Sequence, residues 1–193
     1  LYTTDQEQQY AFILSAIQKG YSVLKMDNMI DSHFINTIET KIEKTQWKRV
    51  DADAVDKLID TGINLEAILT DAQKESVKKV FEDTLQDKQK IVAVEAMSPE
   101  ELPAIVTQNE FMRRMSDMSK TGGGGMGMFG AMPNTYNITI NANHPLISKL
   151  ADLKSEDEQK ALAKQISDLA LLSQNLLTGS DLTAFIKRTV GGF

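Results

Sequence analysis

The residue types that most often carry catalysis or bind metals are scarce in this chain. Its 193 residues include no cysteine and two histidines, His33 and His144. Neither histidine has a carboxylate or a second imidazole at ligand spacing, so the sequence does not indicate a zinc site. A nucleophilic triad would have to use one of the two, and there is no G-x-S-x-G motif. We expect His144, which precedes Pro145 at a helix start, to cap or pack, and His33 to be solvated.

A glycine run is the one candidate for a phosphate-binding loop. Residues 122–127 formally match G-x-G-x-x-G. Such a loop requires a strand before it and a helix after it, whereas a predicted helix precedes this run and Pro133 follows it. A flexible linker is the favoured interpretation. Acid–base catalysis by paired carboxylates stays open, because the chain has 27 acidic residues whose pairing in space is not visible in the sequence.

Methionines concentrate in residues 109–132, which hold six of the nine in the chain. Met112, Met115 and Met118 recur every three residues and therefore lie along one side of a predicted helix. Methionine is unbranched and polarizable, and Met-rich surfaces suit partners of variable shape. The segment is predicted to be an adaptable contact surface. The alternative is that these three methionines pack on a neighbouring sheet.

The composition is typical of a globular protein, with 41% hydrophobic and 25% charged residues. The net charge is −6 and no basic patch dominates, which argues against nucleic acid as a partner. No apolar run approaches the roughly 18 residues of a membrane span, and no signal peptide is visible. We therefore expect a cytoplasmic protein without a membrane partner. Because the chain begins at Leu1 inside a predicted strand, we expect it to be part of a longer protein.

The first 64 residues alternate strand-like and helix-like patterns. The predicted strands are Leu1–Thr3, Tyr21–Met26 and Trp47–Val50. The apolar face of the first helix is predicted to consist of Tyr10, Ile13, Leu14 and Ile17. This order predicts a small three-layer α/β subdomain with a short parallel sheet. The segment lacks the glycine-rich turn of a nucleotide-binding version.

Residues 65–193 predict a mixed α+β domain. Thr70 and Gln73 fit a capping box that opens a helix. Pro145 begins a shorter helix further along the chain. Strands are predicted at residues 91–96, 102–107 and 135–141. Apolar and polar residues alternate in the last of these, which predicts a half-buried strand.

The C-terminal end predicts two amphipathic helices, capped by Ser155 and Ser180 and separated at Gly179. Leu171 and Leu177 lie off the main apolar face, so the apolar surface of these helices is wider than one small core needs. Two helices cannot close a bundle alone, but two copies supply four. The fold class is therefore predicted as α+β, ending in an intermolecular four-helix bundle. The predicted dimer interface consists of Leu162, Ile166, Leu169, Leu172, Leu176, Leu182, Phe185 and Ile186.

Several phrases of the sequence together resemble one known family. LYTTDQEQQYAFILSAIQKGYSVLKMD, SHFINTIETKIE and WKRVDAD resemble the end of the middle segment of the 90-kDa heat-shock chaperones. NITINANHPLISKL and DLALLSQNLLTGSDLTAFIKRTV resemble their C-terminal dimerisation domain, in the bacterial HtpG form. The resemblance covers essentially the whole chain, and the phrases occur in the order that the family has.

The resemblance implies a homodimeric, ATP-driven chaperone of stress response and protein folding. Residues 1–64 would end its middle segment, and residues 65–193 would form its C-terminal dimerisation domain. Residues 157–178 and 181–190 would pair with their copies in a four-helix bundle. A helix over residues 109–120 would contact unfolded or partly folded client proteins. The apolar positions that match the family's client helix are Phe111, Met112, Met115 and Met118.

The resemblance also implies where the chemistry of the family lies. ATP and magnesium bind to an N-terminal domain of the full-length chaperone, so these residues would hold no cofactor and would not hydrolyse ATP. Two alternatives are kept. One is a stand-alone dimeric scaffold that binds one specific partner through the Met- and Gly-rich segment, and the other is a small α/β enzyme with a carboxylate site.

Overall fold

The computed structural model describes residues 1–28, 30–53, 55–59, 65–85, 90–108 and 136–191. The helices are α1 (Tyr10–Gln18), α2 (Asp31–Lys41), α3 (Val55–Leu58), α4 (Asp71–Leu85), α5 (Pro145–Asp152), α6 (Glu156–Ser173) and α7 (Gly179–Val190). The strands are β1 (Tyr2–Thr3), β2 (Leu24–Lys25), β3 (Lys90–Glu95), β4 (Ala104–Gln108) and β5 (Tyr136–Asn141). Contacts divide the chain into one unit that includes residues 1–61 and a second built from residues 62–106 and 136–193.

The first unit contains the predicted parallel pairing. Strand β1 pairs with β2 in parallel, and Tyr2 forms a further parallel bridge with Arg49. The predicted third strand is therefore present as one bridge instead of a full strand. A buried glutamine joins these pieces: Gln9 Oε1 accepts from the Thr3 hydroxyl at 2.6 Å, and its Nε2 donates to Asp51 Oδ2 at 2.8 Å. The bonds tie the start of the chain to the segment that follows the bridge.

The buried face of α1 differs from the predicted one. Phe12 and Ala16 are the buried residues of this helix, one turn apart. Tyr10 and Ile17 were predicted to lie on the apolar face, but the structure exposes both side chains to solvent. A helix of nine residues in so small a unit buries one narrow stripe, which here consists of Phe12 and Ala16.

The second unit is built on a three-stranded sheet in the order β3-β5-β4. Strands β3 and β5 are parallel, with Lys90 opposite Tyr136 and Glu95 opposite Asn141. Strand β5 lies in the centre of the sheet, and Thr139 and Asn141 are buried together with their apolar neighbours. The prediction of a half-buried strand is therefore wrong for its second half, because elements cover both faces of a central strand there.

Helices α4, α5 and α6 share one apolar core with this sheet, and α4 lies against β3. Thr70 and Gln73 cap α4 reciprocally, since each side chain accepts from the backbone N–H of the other residue, at 3.3 and 3.0 Å. The capping box is therefore confirmed. The largest fully buried apolar side chains of this core are Val77, Phe81, Val106, Ile138, Ile140, Ile147, Leu150 and Ile166.

The architecture is mixed α+β, as predicted. Two further predictions concern the domain boundary and the four-helix bundle. The domain boundary after residue 64 stays a prediction, because residues 60–64 lie outside the described residues. The four-helix bundle also stays a prediction, because it requires a second copy.

Candidate interaction surface

Helix α6 begins where the sequence predicted. Ser155 is its N-cap, and the Ser155 hydroxyl oxygen accepts from the backbone N–H of Glu158 at 3.4 Å. Three acidic residues occupy the first turn, where they face the positive end of the helix dipole. The side of α6 that faces the core carries Ala163, Ile166, Ala170 and Leu171.

Helix α6 ends earlier than predicted. Asn175 adopts a left-handed conformation with φ of 55°. Its N–H bonds to the carbonyl of Leu172 at 3.0 Å, and the N–H of Leu176 bonds to the carbonyl of Leu171 at 2.9 Å. This pair of bonds is a Schellman motif, which closes a helix. The predicted continuation to residue 178 is therefore wrong, and Leu176 lies in the closing turn instead of on a helical stripe.

Helix α7 begins at Gly179, which has a φ of 60°, and its N-cap is Thr178. The prediction that Ser180 caps this helix is therefore wrong. Phe185 is the buried residue of α7 and joins the core of the second unit. Leu182 packs against that core while partly buried.

The eight residues predicted for the dimer interface fall into three groups. Ile166 and Phe185 are buried within the chain. Partly buried against its core are Leu162, Leu176 and Leu182. The exposed group consists of Leu169 at 46%, Leu172 at 37% and Ile186 at 51%, with Val190 at 68% as a further exposed residue of α7. We call Leu169, Leu172, Ile186 and Val190 the apolar stripe.

A polar cluster joins α6 to α7, the two helices that carry the apolar stripe. Asp168 is 1% exposed. Its Oδ1 accepts from Lys164 Nζ at 2.6 Å and its Oδ2 accepts from Arg188 Nη2 at 2.7 Å. Arg188 Nε also donates to Gln165 Oε1 at 3.0 Å. Sequence reasoning missed this cluster, because Arg188 lies 20 positions from Asp168 and the i,i+4 spacing of Lys164 and Asp168 was the one local signal.

The corner between β5 and α5 is held by polar side chains of the NANHP phrase. Asn141 is fully buried; its Oδ1 accepts from the N–H of Asn143 at 3.0 Å and its Nδ2 donates to the carbonyl of Ser98 at 2.8 Å. His144 caps α5, since its Nδ1 accepts from the N–H of Leu146 at 3.1 Å. The predicted capping role of His144 is confirmed, and burial lowers the pKa of its imidazole.

The remaining predicted site residues lie elsewhere. His33 is exposed on α2, as predicted. The predicted client residues Phe111, Met112, Met115 and Met118 lie outside the described residues. Within the described ranges, no group of three or more histidine, aspartate or glutamate side chains is placed to hold a metal ion. Among those same residues, no helix has the length and apolar character of a membrane span.

Comparison with known proteins places this sequence among chaperones. The profile of the family described as Hsp90 protein matches residues 2–188. The chain is 32% identical to the Chaperone protein HtpG of Porphyromonas gingivalis over an alignment of 256 positions, which covers 98% of the chain and 37% of the relative. It is 34% identical to the chaperone protein htpG of Bacteroides fragilis over 160 residues, which cover 81% of the chain and 23% of the relative.

The chain thus spans well under half the length of the curated relatives that it matches. Within that span, the family match leaves out one residue at the start and five at the end. It therefore includes the α/β elements of the first unit and three of the four residues of the apolar stripe, since Val190 lies after the matched range. The chain belongs to the Hsp90 protein family, and bacterial HtpG chaperones are among its relatives.

Proposed function

We propose that these residues provide homodimerisation and part of the client-binding surface of an HtpG-type heat-shock chaperone. The observation that carries the proposal is the apolar stripe, which leaves four large aliphatic side chains in water on the last two helices. Burying such side chains against a partner is favourable by about 25 cal/mol per Å² of apolar area, before the entropy cost of association. Family membership supports the same assignment.

The geometry of a helix pair favours a second copy as the occupant of the stripe. Helices α6 and α7 are joined by a tight turn and already bury their other sides in the core of the second unit. A two-fold pairing of such helix pairs makes a four-helix bundle in which the same residues meet from both sides. Each protomer then contributes Leu169, Leu172, Ile186 and Val190 to the shared core.

Sedimentation of the chain over a range of concentrations tests this proposal. We expect a dimer for the unmodified chain and a monomer for the double variant Leu169→Glu/Leu172→Glu, because four buried carboxylates per dimer would lack partners. Ser76→Glu adds a carboxylate at an exposed position of α4, outside the two bundle helices; it is the matched control and should stay dimeric. A monomeric unmodified chain at about tens of micromolar, where most specific interfaces persist, would exclude the dimer.

The client-binding part of the proposal concerns residues 109–120. Phe111, Met112, Met115 and Met118 supply apolar, adaptable side chains to nonnative chains, consistent with the way Met-rich surfaces accept varied partners. We expect Met115→Ser/Met118→Ser to weaken binding to several unrelated unfolded proteins by a similar factor. Asn137→Ser, at an exposed strand position, is the control. Unchanged binding in the double variant would remove this assignment.

In this proposal the chain binds clients and performs no chemistry. ATP and magnesium belong to other segments of the full-length chaperone, which acts in the cytoplasm on unfolded or partly folded proteins and not on nucleic acid or membranes. If binding is instead confined to one folded partner, the stand-alone scaffold becomes the better account.

A further inference from the structure

Within the described part of the chain, helix α7 has few apolar attachments to other elements. Phe185 is its buried side chain, and Leu182 packs on the core while partly buried. One buried anchor near the middle of a twelve-residue helix fixes its position better than its orientation. A second attachment is needed if the exposed Ile186 and Val190 are to stay aligned with the stripe residues of α6.

The cluster around Asp168 provides that attachment. Both carboxylate oxygens of Asp168 are occupied, one by Lys164 of the same helix and the other by Arg188 of α7. Arg188 is held from two more sides, by its 3.0 Å bond to Gln165 and by the Phe185 ring, whose centroid is 5.6 Å from the guanidinium carbon. The carboxylate, the amide and the ring each contact a different part of the guanidinium. Together the three contacts fix its orientation.

The cluster also lies on the same two helices as the apolar stripe. Asp168 directly precedes Leu169, and Arg188 lies midway between Ile186 and Val190. A shift of Arg188 away from Asp168 therefore moves both stripe residues of α7 relative to those of α6. The buried carboxylate resists such a shift, because a charge that is 1% exposed would lose a partner without gaining water.

We propose that Asp168 is a positioning residue for self-association: through Arg188 it orients α7 so that the stripe residues of α6 and α7 form one continuous surface for a second copy of the chain. This inference rests on the dimer proposed above. Arg188 connects Asp168 to α7, and Lys164 donates a hydrogen bond to the other carboxylate oxygen of Asp168.

The test compares dimer dissociation constants, measured by sedimentation equilibrium on the full chain, for the unmodified protein and for Asp168→Asn. We expect the constant to rise by about tenfold or more, because a neutral amide cannot hold the guanidinium as a buried carboxylate does. Hydrogen exchange of the α7 amides should become faster, while that of the α5 amides stays the same. Glu156→Gln breaks the exposed Glu156–Lys160 pair of the same helix and should change the constant less than about twofold.

Two further variants separate positioning from general loss of stability. Ile147→Val leaves a small cavity in the same core and should lower the melting temperature without changing the dissociation constant. Arg188→Lys keeps the positive charge but loses the planar guanidinium, which binds two acceptors at once. Its dimer dissociation constant should therefore lie between those of the unmodified chain and Asp168→Asn. If Asp168→Asn does not fold, Arg188→Lys decides the question alone.

The outcomes distinguish the two proposals. A monomeric unmodified chain removes the dimer itself. A dimeric unmodified chain with an unchanged constant in Asp168→Asn, or in Arg188→Lys where Asp168→Asn does not fold, overturns the role of Asp168 and leaves the dimer standing. An equal loss of affinity in Ile147→Val at matched loss of melting temperature also overturns it, since stability alone would then account for the effect.

Discussion

The carboxamide of Asn143 holds the backbone of Ile68 across 75 positions of sequence: Asn143 Oδ1 accepts from the N–H of Ile68 at 2.7 Å. The same side chain donates to the carbonyls of Glu66 at 3.0 Å and Met97 at 3.1 Å. One nearly buried residue thus joins the segment before α4, the end of β3 and the turn into α5. No apolar side chain can replace it, because three backbone groups depend on it.

Asn143→Ala should therefore destabilise the second unit strongly. Three backbone groups lose their side-chain partner, and a buried group left without one costs about 1–3 kcal/mol. We expect a loss of about 3 kcal/mol in urea unfolding, since water can reach part of the site. Asn137→Ala, at an exposed position of β5, is the control and should change the free energy of unfolding by less than about 0.5 kcal/mol. A loss of the same size in both variants would contradict this account.

Ser167→Ala should stabilise the protein. Ser167 is fully buried on α6, and its hydroxyl has no hydrogen-bond partner in the described part of the chain. Alanine removes the cost of burying that hydroxyl and is also the better helix former, so the free energy of unfolding should rise by about 1 kcal/mol. Ser173→Ala provides the contrast, because the Ser173 hydroxyl donates to the carbonyl of Ala170 at 2.8 Å. A decrease in stability for Ser167→Ala would show that the hydroxyl has a partner.

Stability should fall in mild acid through His144. Its Nδ1 can accept from Leu146 when the ring is neutral at that nitrogen, and burial lowers its pKa in the folded protein. The contribution is therefore complete above the unfolded pKa of about 6.5 and is lost as pH falls through the lower folded pKa. His144→Asn keeps a capping oxygen without a titrating ring. Unfolding measured across this range should show a smaller decline for the variant, and equal declines would assign the effect to other groups.

Phe185 and Ile186 are neighbours in α7, but replacing each by alanine should affect a different property. The Phe185 variant should lose stability, and the Ile186 variant should lose self-association. In the Leu169→Glu/Leu172→Glu background, expected to be monomeric, Phe185→Ala should lower the free energy of unfolding by about 3–5 kcal/mol, because it leaves a cavity in the core. Ile186→Ala should lower it by less than about 0.5 kcal/mol there, since the side chain is exposed. In the dimeric chain, Ile186→Ala should instead weaken self-association. If the two variants unfolded alike, the division of α7 into a core side and a stripe side would be wrong.

Three helix beginnings were predictable from the sequence, because one turn of residues contains the whole signal. The Thr70–Gln73 capping box, the Ser155 cap and the His144–Pro145 start all appear as predicted. Each depends on bonds between residues no more than three positions apart, so no distant element can override them easily. Ser180 was misplaced because Gly179 was expected to stop α6, whereas Asn175 closes that helix and Gly179 begins the next.

The apolar stripe was only partly predictable. The spacing of apolar residues assigned Ile166, Leu169 and Leu172 to one face of a predicted helix, and all three lie in α6. It did not separate Ile166, which is buried in the chain, from Leu169 and Leu172, which are exposed. The pattern of one helix reports which residues are apolar, while the neighbouring elements determine which side they cover.

The sequence by itself determined the α+β class, three of the helix caps and the family, because these depend on local spacing or on the order of residues in the chain. Tertiary structure alone decided which apolar residues of α6 and α7 stay in water, and that Asp168 meets Arg188. It also decided that Asn143 holds Ile68. The physical reason is the same in each case, because burial and long-range hydrogen bonds depend on which segments pack together. No local sequence pattern indicates that residues 20 or 75 positions apart form a hydrogen bond.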